Sequence, residues 1–563
     1  MNLADAFANS VQKQPRKTAL FWGEREYHYS ELWHQSVFMA DQLQRQFGVK
    51  PGDRVGLWLK NCPEFVPSLF GILQAGAVVV PINNFLKTDE VNYILSDAGI
   101  DVLITDAELG THHRALEAAR PNLKLFRIEA LNQTPHPHQP SRTVGPHAKE
   151  SDLAIIIYTS GTTGKPKGAM LSHGNLLHNV ESCRIVLRTV ALDRFAVLLP
   201  LFHSYMLTVG LLLPLLVGGS VVLVKSLHPV RNALQEVLQR RATVLPAIPQ
   251  FYRSMVNAPI HPPLPLRICI SGAAPLPGQV LVEFEAKFHI PLIEGYGLSE
   301  ASPVVTKNPL DRTRKAGSIG LPIPHVEVSI QDDAGRELGT NEIGEVCVRG
   351  GNVMLGYWQQ PEETAKVLRH GWLLTGDIGY RDAEGYYFIT DRKKDMLLVN
   401  GINVYPREIE EILYQMPGVK EAAVVGKTDA RRGEQPVAYV TPNDGAVLEE
   451  KALQQFVRRK LADYKVPRQV VFLPALPRNA TGKILKTALR DLPLPGQASE
   501  PAGRSLAAII PSGVASAWGA STPALPGRLP SPVPPSSSST MPTAASPSSS
   551  SSKAPPLGPG CGG

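Results

Sequence analysis

Tyr158-Thr-Ser-Gly-Thr-Thr-Gly-Lys-Pro-Lys-Gly168 is the segment around which the rest of the chain is organised. It follows the apolar run 153–158, which predicts a buried strand. Its glycines let the backbone bend so that several amide groups face one anion, while its hydroxyl and lysine side chains add donors and charge. The segment therefore predicts a phosphate-binding loop. A Walker loop needs Ser or Thr directly after its Gly-Lys pair, and Pro166 stands there, which excludes that class of NTPase.

The composition bounds the classes of protein that the chain can belong to. A length of 563 residues predicts about two to four domains. The 57 basic and 50 acidic residues give a net charge of +7 without a dense basic run, which argues against a nucleic-acid footprint and fits anionic ligands or weak contact with a membrane surface. The first ten residues lack the pattern of a secretory signal, so we expect a cytoplasmic protein. No disulfide framework or zinc site is expected, because no C-x-x-C pair occurs among Cys62, Cys183, Cys269, Cys347 and Cys561.

Hydrophobic patterning indicates the fold class. In residues 1–150, helical patterns alternate with short apolar runs such as 54–59 and 77–81, which predicts α/β layering with parallel strands. Residues 205–224 carry no charge and are long enough to cross a bilayer. Pro214 and Gly218 instead predict a buried helix that ends near Gly218, followed by a strand over 220–224.

Several further motifs follow the phosphate loop along the chain. They are Arg267-Ile-Cys-Ile-Ser-Gly-Ala-Ala-Pro275, Glu294-Gly-Tyr-Gly-Leu-Ser-Glu300, His370-Gly-Trp-Leu-Leu-Thr-Gly-Asp-Ile-Gly379, Asp391-Arg-Lys-Lys-Asp-Met396 and Pro477-Arg-Asn-Ala-Thr-Gly-Lys-Ile484. In this order they resemble the adenylate-forming (AMP-binding) superfamily, in its acyl-CoA synthetase branch, and most of all the long-chain-fatty-acid–CoA ligases.

The resemblance covers nearly all of residues 1–492 and implies an architecture. We expect a large N-terminal α/β domain of layered sheets and helices, with a small β-rich portion, over 1–390. A smaller, mobile α+β C-terminal domain is expected over 391–496. The Ser/Pro-rich composition of 497–563 predicts a disordered tail, because such a segment cannot bury a core.

The resemblance also implies roles for individual residues. It assigns catalysis to Lys483, Arg392 and His203, and Mg²⁺ binding to Thr159 and Glu300. Lys394 is the expected hinge of the small domain, and Gly401 and Asn403 are expected on its CoA-facing side. The implied ATP-binding residues are Thr159, Ser160, Gly161, Thr162, Thr163, Gly164, Lys165, Ala273, Glu294, Gly295, Tyr296, Ser299, Asp377, Arg392 and Lys483.

Two positions depart from the pattern of the family. Most relatives carry Thr where Ser299 stands, and the hydroxyl group is kept. Some relatives carry Lys where Leu398 stands, so the nucleotide contact of that Lys is not expected here.

The segment around His203 bears on the substrate. Relatives that activate amino acids carry Asp at this position to pair with the amine, so His203 argues against an amino acid. A fatty acid fits the leucines that follow, because each buried methylene contributes about 0.8 kcal/mol. These are Leu207, Leu211, Leu212, Leu213, Leu215 and Leu216.

The implied reaction joins a medium- or long-chain fatty acid to MgATP, giving acyl-adenylate and pyrophosphate, and then transfers the acyl group to the thiol of CoA. Two alternatives stay open on the sequence alone. One is transfer to an acyl-carrier protein instead of CoA, and the other is a non-catalytic nucleotide-binding relative. Nothing in the sequence points to the light-emitting oxidases of the superfamily.

Overall fold

The computed structural model describes residues 1–133, 148–159, 165–226, 230–399, 402–429, 433–479 and 483–494. The tail predicted over 497–563 lies outside these residues. In chain order the strands are β1 (Thr18–Trp22), β2 (Arg25–His28), β3 (Arg54–Leu57), β4 (Val78–Pro81), β5 (Val102–Thr105), β6 (Lys124–Arg127), β7 (Leu153–Thr159), β8 (Lys167–Ser172), β9 (Arg194–Val197), β10 (Ser220–Leu223), β11 (Val244–Ala247), β12 (Ile268–Ser271), β13 (Leu292–Gly297), β14 (Val304–Lys307), β15 (Leu321–Pro322), β16 (Val326–Gln331), β17 (Gly344–Gly350), β18 (Gly356–Tyr357), β19 (Leu368–Arg369), β20 (Trp372–Arg381), β21 (Tyr387–Arg392), β22 (Leu397–Val399), β23 (Ile402–Val404), β24 (Val419–Asp429), β25 (Gly433–Pro442) and β26 (Gln469–Phe472). The α-helices are α1 (Leu3–Lys13), α2 (Tyr29–Arg45), α3 (Phe65–Gln74), α4 (Thr88–Asp97), α5 (Gly110–Ala119), α6 (Glu129–Gln133), α7 (His173–Leu187), α8 (Leu213–Val217), α9 (Val230–Gln239), α10 (Pro249–Asn257), α11 (Gly278–Phe288), α12 (Pro361–Val367), α13 (Pro406–Tyr414), α14 (Glu450–Arg458) and α15 (Lys486–Asp491).

Two large, mostly parallel sheets form the bulk of the molecule. One has the strand order β15-β14-β13-β12-β11-β9-β10-β1-β2, in which β14, β15 and β2 run antiparallel to their neighbours. The other has the order β18-β8-β7-β4-β3-β5-β6, with the antiparallel strands β8 and β18 at one edge. The central strands read as short apolar runs because helices cover both faces of a parallel sheet. The predicted α/β layering is confirmed, including parallel pairing of β3 with β4.

A smaller antiparallel sheet of β16, β17, β19, β20 and β21 follows the two large ones. It is the β-rich portion expected from the sequence. Strand β20 pairs with β21 so that Asp377 stands opposite Arg392. This register brings together two residues that are fifteen positions apart in the chain.

The C-terminal part is α+β and has its own apolar core. Its sheet has the order β23-β22-β25-β24, with β26 pairing to β25. Ile409 and Leu413 of α13 are fully buried, and Ile412 packs against the same cluster. Pro406 occupies the first turn of α13, where a missing amide proton costs nothing.

The uncharged segment 205–224 is a buried helical stretch followed by a strand. Met206–Leu212 is a π-helical turn that continues into α8, and Gly218 ends α8 with φ +84° before β10 begins at Ser220. The sequence predicted this division from Pro214 and Gly218, and it is confirmed. Among the described residues, no helix is both long and apolar enough to cross a membrane.

The four cysteines of the described chain carry free thiols. Burial raises the pKa of Cys183 to about 11 and that of Cys347 to about 12. The pKa values of Cys62 and Cys269 lie well above the ordinary value for the same reason.

Candidate active site

A cavity of about 1290 Å³ lies at the carboxyl ends of β12 and β13. Ligands of open α/β sheets bind beyond these strand ends, since the loops that follow can close around them. Most of the site residues predicted from the sequence line this cavity. They are Thr159, His203, Ala273, Gly295, Tyr296, Ser299, Glu300, Asp377, Arg392, Lys394 and Lys483.

Asp377 lies between two donors at one wall of the cavity. The hydroxyl of Tyr296 donates to Asp377 Oδ2 at 2.5 Å, and Arg392 Nε lies 3.3 Å from Asp377 Oδ1. Burial raises the pKa of Tyr296 well above its ordinary value, so the phenol stays protonated and remains a donor. The carboxylate is thereby held in one orientation, from which it can accept hydrogen bonds from the hydroxyls of a bound sugar.

Ala273 follows β12 in a left-handed backbone conformation, with φ +65°. Residues other than glycine adopt this conformation rarely, and such strain is concentrated at functional sites. Its small side chain leaves the cavity wall open to a flat ring.

Lys483 enters the cavity from the C-terminal part of the chain. Its backbone amide donates to Asn479 Oδ1 at 2.9 Å. Burial, and secondly the charge of Arg392, lower the pKa of Lys483 to about 8, while Asp377 and Asp395 oppose that shift. A lysine whose ammonium is partly desolvated beside a second cation is a strong site for an anion.

His203 lies at the same end of the cavity as Lys483. Burial lowers its pKa to about 4, and the charge of Lys483 adds to the shift. His203 is therefore neutral near pH 7 and brings no fixed charge to this end of the cavity.

Ser204 and Tyr357 contact site residues and were missed by the sequence reasoning. The hydroxyls of Ser204 and Ser299 are 3.0 Å apart, and the hydroxyl of Tyr357 donates to Glu300 Oε1 at 2.9 Å. Ser204 directly follows the predicted site residue His203 in the chain, and that adjacency could have indicated Ser204 as a further site residue. Tyr357 reaches Glu300 because β18 pairs with β8, and no local sequence pattern predicts that pairing.

Three predicted residues do not line the cavity. Glu294 is buried, accepts a hydrogen bond from the Leu276 amide at 3.0 Å and faces Arg407 at 3.9 Å. Lys165 and Asn403 are exposed. The remaining predicted residues, Ser160, Gly161, Thr162, Thr163, Gly164 and Gly401, lie outside the described residues.

The lining of the cavity differs from the expectation of an apolar pocket without fixed charge. The leucines that follow His203 do not line it, and five of them are fully buried in the core: Leu207, Leu211, Leu212, Leu213 and Leu215. They pack inward because the π-helical turn and α8 are enclosed on all sides. The cavity is lined instead by apolar side chains such as Phe202, Leu298 and Val304 and by the buried cation Lys307, which together are termed the acid side.

Comparison with protein-family models gives two matches along the chain. The AMP-binding enzyme model matches residues 7–358, which is more than half of the chain. The model of the AMP-binding enzyme C-terminal domain matches residues 408–483. The chain belongs to the AMP-binding enzyme family. The resemblance stated from the sequence motifs is confirmed.

Similarity to individual members of the family indicates the enzyme class of this chain. The chain is 35% identical to a long-chain-fatty-acid–CoA ligase of Bacillus subtilis, over 87% of this chain and 94% of that protein. It is 38% identical to a feruloyl-CoA synthase of Amycolatopsis, over 85% and 96% respectively. Among solved structures, ATP-bound MatB from Rhodopseudomonas palustris superimposes with a TM-score of 0.80 at 33% identity, over 87% of this chain and 99% of that one. These similarities support acid–CoA ligase as the enzyme class of this family member.

Proposed function

We propose that this AMP-binding enzyme is an acid–CoA ligase that activates a medium- or long-chain fatty acid with ATP and transfers it to CoA. The observation that carries the proposal is the meeting of Lys483, from the C-terminal part, with Arg392 and Asp377 around one cavity. The reaction of a carboxylate with an α-phosphate brings anions together. Cations at the point of attack lower its barrier electrostatically.

Each residue has a distinct part in the adenylation step. Asp377 accepts hydrogen bonds from the ribose, and Ser299 donates to the α-phosphate. Lys483 lies between the carboxylate of the acid and the phosphate chain, where it stabilises the charge that both oxygens share in the transition state. His203 is neutral and offers a hydrogen bond beside the reacting carboxylate without adding charge.

The second step requires a different arrangement, because one site cannot enclose pyrophosphate and admit a thiol at the same time. We propose that the C-terminal domain, residues 391–496, turns about Lys394 between the two steps. This motion withdraws Lys483 and presents the side that carries Gly401 and Asn403 to CoA.

Mg²⁺ fits the donor set of the cavity. Glu300 lines the cavity and is oriented through its hydrogen bond from Tyr357, and a carboxylate is the kind of oxygen ligand that Mg²⁺ takes together with substrate phosphates. Glu300 and the hydroxyl of Thr159 would hold the ion. When bound, it would neutralise charge on the phosphates.

Two observations support a fatty acid as substrate. The acid side of the cavity carries the apolar side chains Phe202, Leu298 and Val304. The similarity to the long-chain-fatty-acid–CoA ligase of B. subtilis extends over 87% of this chain and 94% of that protein. The similarity to a feruloyl-CoA synthase makes aromatic acids the comparison that a test must include.

The test is exchange between ATP and pyrophosphate over a panel of acids, from acetate to long-chain fatty acids, cinnamates and amino acids. CoA is then added to the acids that support exchange. We expect exchange to peak with medium- or long-chain acids and thioester to form on CoA. Exchange without thioester would move the second step to a carrier protein. No exchange with any acid would leave the non-catalytic reading.

A further inference from the structure

Lys307 is a buried cation that the reaction described above does not use. It is the last residue of β14 and only 5% exposed, yet its side chain lines the cavity. Its position depends on Gly295, which stands opposite it in the pairing of β13 with β14. A Cβ atom at position 295 would lie 3.2 Å from Lys307 Cε and 3.4 Å from its Nζ. The end of the Lys307 side chain thus lies close against the backbone of Gly295.

Lys307 has no counter-ion within the described part of the chain. It makes no ion pair or side-chain hydrogen bond to any described residue, and the one described titratable group that influences its pKa is the thiol of Cys183, which is itself uncharged near pH 7. Burial lowers the pKa of Lys307 to about 8. A buried ammonium without a partner is costly, and such a group usually has a role in binding.

Lys307 and Lys483 reach the cavity from different parts of the chain, Lys307 from the end of β14 and Lys483 from the C-terminal part. The charge of Lys483 acts on His203 and on the Asp377–Arg392 pair, whereas Lys307 has none of these groups among its electrostatic neighbours. Cys183, which does act on Lys307, lies on α7 in the core of the large part. The two cations thus share no charged neighbour among the described residues.

We propose that Lys307 binds an oxygen acceptor on the substrate acid at a distance from the reacting carboxylate. This inference rests on the proposed ligase function and narrows its substrate class to acids that carry a second polar oxygen: a terminal carboxylate, a hydroxyl, a keto group or a phenolic oxygen. A lysine can only donate, so the partner must accept. Apolar side chains such as Leu298 and Val304 then cover the carbon skeleton between the two ends.

The test compares acids in matched pairs: dodecanoate with dodecanedioate and with 12-hydroxydodecanoate, and cinnamate with 4-hydroxycinnamate. We expect the wild-type protein to prefer one oxygenated acid over its unsubstituted partner by about 10- to 100-fold in kcat/KM for pyrophosphate exchange, the range of a hydrogen bond to a charged group. Lys307→Met keeps the length of the side chain and removes the donor. We expect it to abolish that preference and to raise the activity on the unsubstituted acid.

Two controls separate this role from a structural one. Lys315→Met changes a lysine that is paired with Asp382 outside the acid side, and we expect it to keep the preference. Thermal unfolding checks that Lys307→Met is folded, which we expect because it removes an unpaired buried charge. Equal effects of Lys307→Met on both members of every pair, or a wild-type protein that prefers the unsubstituted acids, would overturn the inference.

Failure of the proposed ligase function can be distinguished from failure of this inference by measuring binding. If no acid supports exchange, calorimetric binding of each pair to the wild-type protein and to Lys307→Met still decides the inference. A binding preference for the oxygenated acid that Lys307→Met removes would support it, and equal binding would refute it.

Discussion

Lys483 is the residue on which we expect the adenylation step to depend most strongly. We expect Lys483→Ala to slow pyrophosphate exchange by about a hundred- to a thousand-fold, because it removes a preorganised cation from the transition state. Thioester formation from supplied acyl-adenylate should fall far less, since this step begins after pyrophosphate has left and no longer brings the carboxylate and the phosphate chain together. Lys460→Ala, which changes an exposed lysine of the same domain, is the matched control. Equal loss of both half-reactions in Lys483→Ala would contradict the role.

The depressed pKa of Lys483 predicts a pH dependence. The ammonium loses its proton as the pH rises through about 8, so kcat/KM for adenylation should fall about tenfold per unit above that value. Bound ATP adds negative charge and should move the fall in kcat to a higher pH. The neighbouring charges are those of Arg392, Lys394, Asp377 and Asp395.

Lys483→Arg provides the control for this profile, because arginine stays charged over the whole accessible range. Its activity will be lower, yet the fall near pH 8 should disappear. If the fall in kcat/KM near pH 8 persists unchanged in Lys483→Arg, a group other than Lys483 causes it.

At the scale of single elements, the end of α8 is a point where backbone conformation matters more than packing. Gly218 has φ +84°, and a Cβ there would lie 2.8 Å from the end of the flexible Gln14 side chain and 3.8 Å, an ordinary contact, from the Cβ of Ala191. We expect Gly218→Ala to cost about 1 kcal/mol, the price of a left-handed alanine, and to lower the thermal midpoint by a few degrees. Gly110→Ala, at the open start of α5, is the control and should be neutral or stabilising. A Gly218→Ala protein as stable as wild type would contradict the argument.

The same elements show what the sequence can and cannot predict. The helix end at Gly218 and the strands β3, β4 and β7 follow from local signals, namely glycine, proline and apolar runs. The contact of Tyr357 with Glu300 depends on the pairing of β18 with β8, two strands far apart in the chain. Nothing in the local sequence at Lys307 marks that lysine as buried. Likewise, a run of leucines indicates burial, but it does not tell a pocket wall from a core.

At the scale of the whole molecule, Arg407 links the C-terminal part to the large one. Arg407 Nη2 lies 3.9 Å from Glu294 Oε1, and its amide donates to Asp391 Oδ2 at 3.0 Å. Burial raises the pKa of Glu294 to about 7, and the Arg407 charge opposes that shift. The contact therefore favours the arrangement in which Lys483 lines the cavity.

We expect Arg407→Leu to weaken this arrangement and to slow adenylation by about 5- to 100-fold relative to thioester formation, the usual range of coupling between sites. Half-reactions measured separately by exchange and by CoA capture of supplied adenylate give the ratio. Arg407→Lys should restore part of it. An unchanged ratio in Arg407→Leu would mean that the contact does not bias the two states.

An enzyme that holds an activated acyl group near its own side chains is exposed to self-acylation, and thiolates are the side chains most prone to it. Cys183 and Cys269 belong to the core cluster against which the cavity-lining residues Ala273, Tyr296 and Leu298 pack. Burial raises the pKa of both thiols, so they stay protonated at neutral pH. Cys62 and Cys347 are protected in the same way. Within the described chain, no cysteine thiolate therefore competes with an incoming thiol for the activated acyl group.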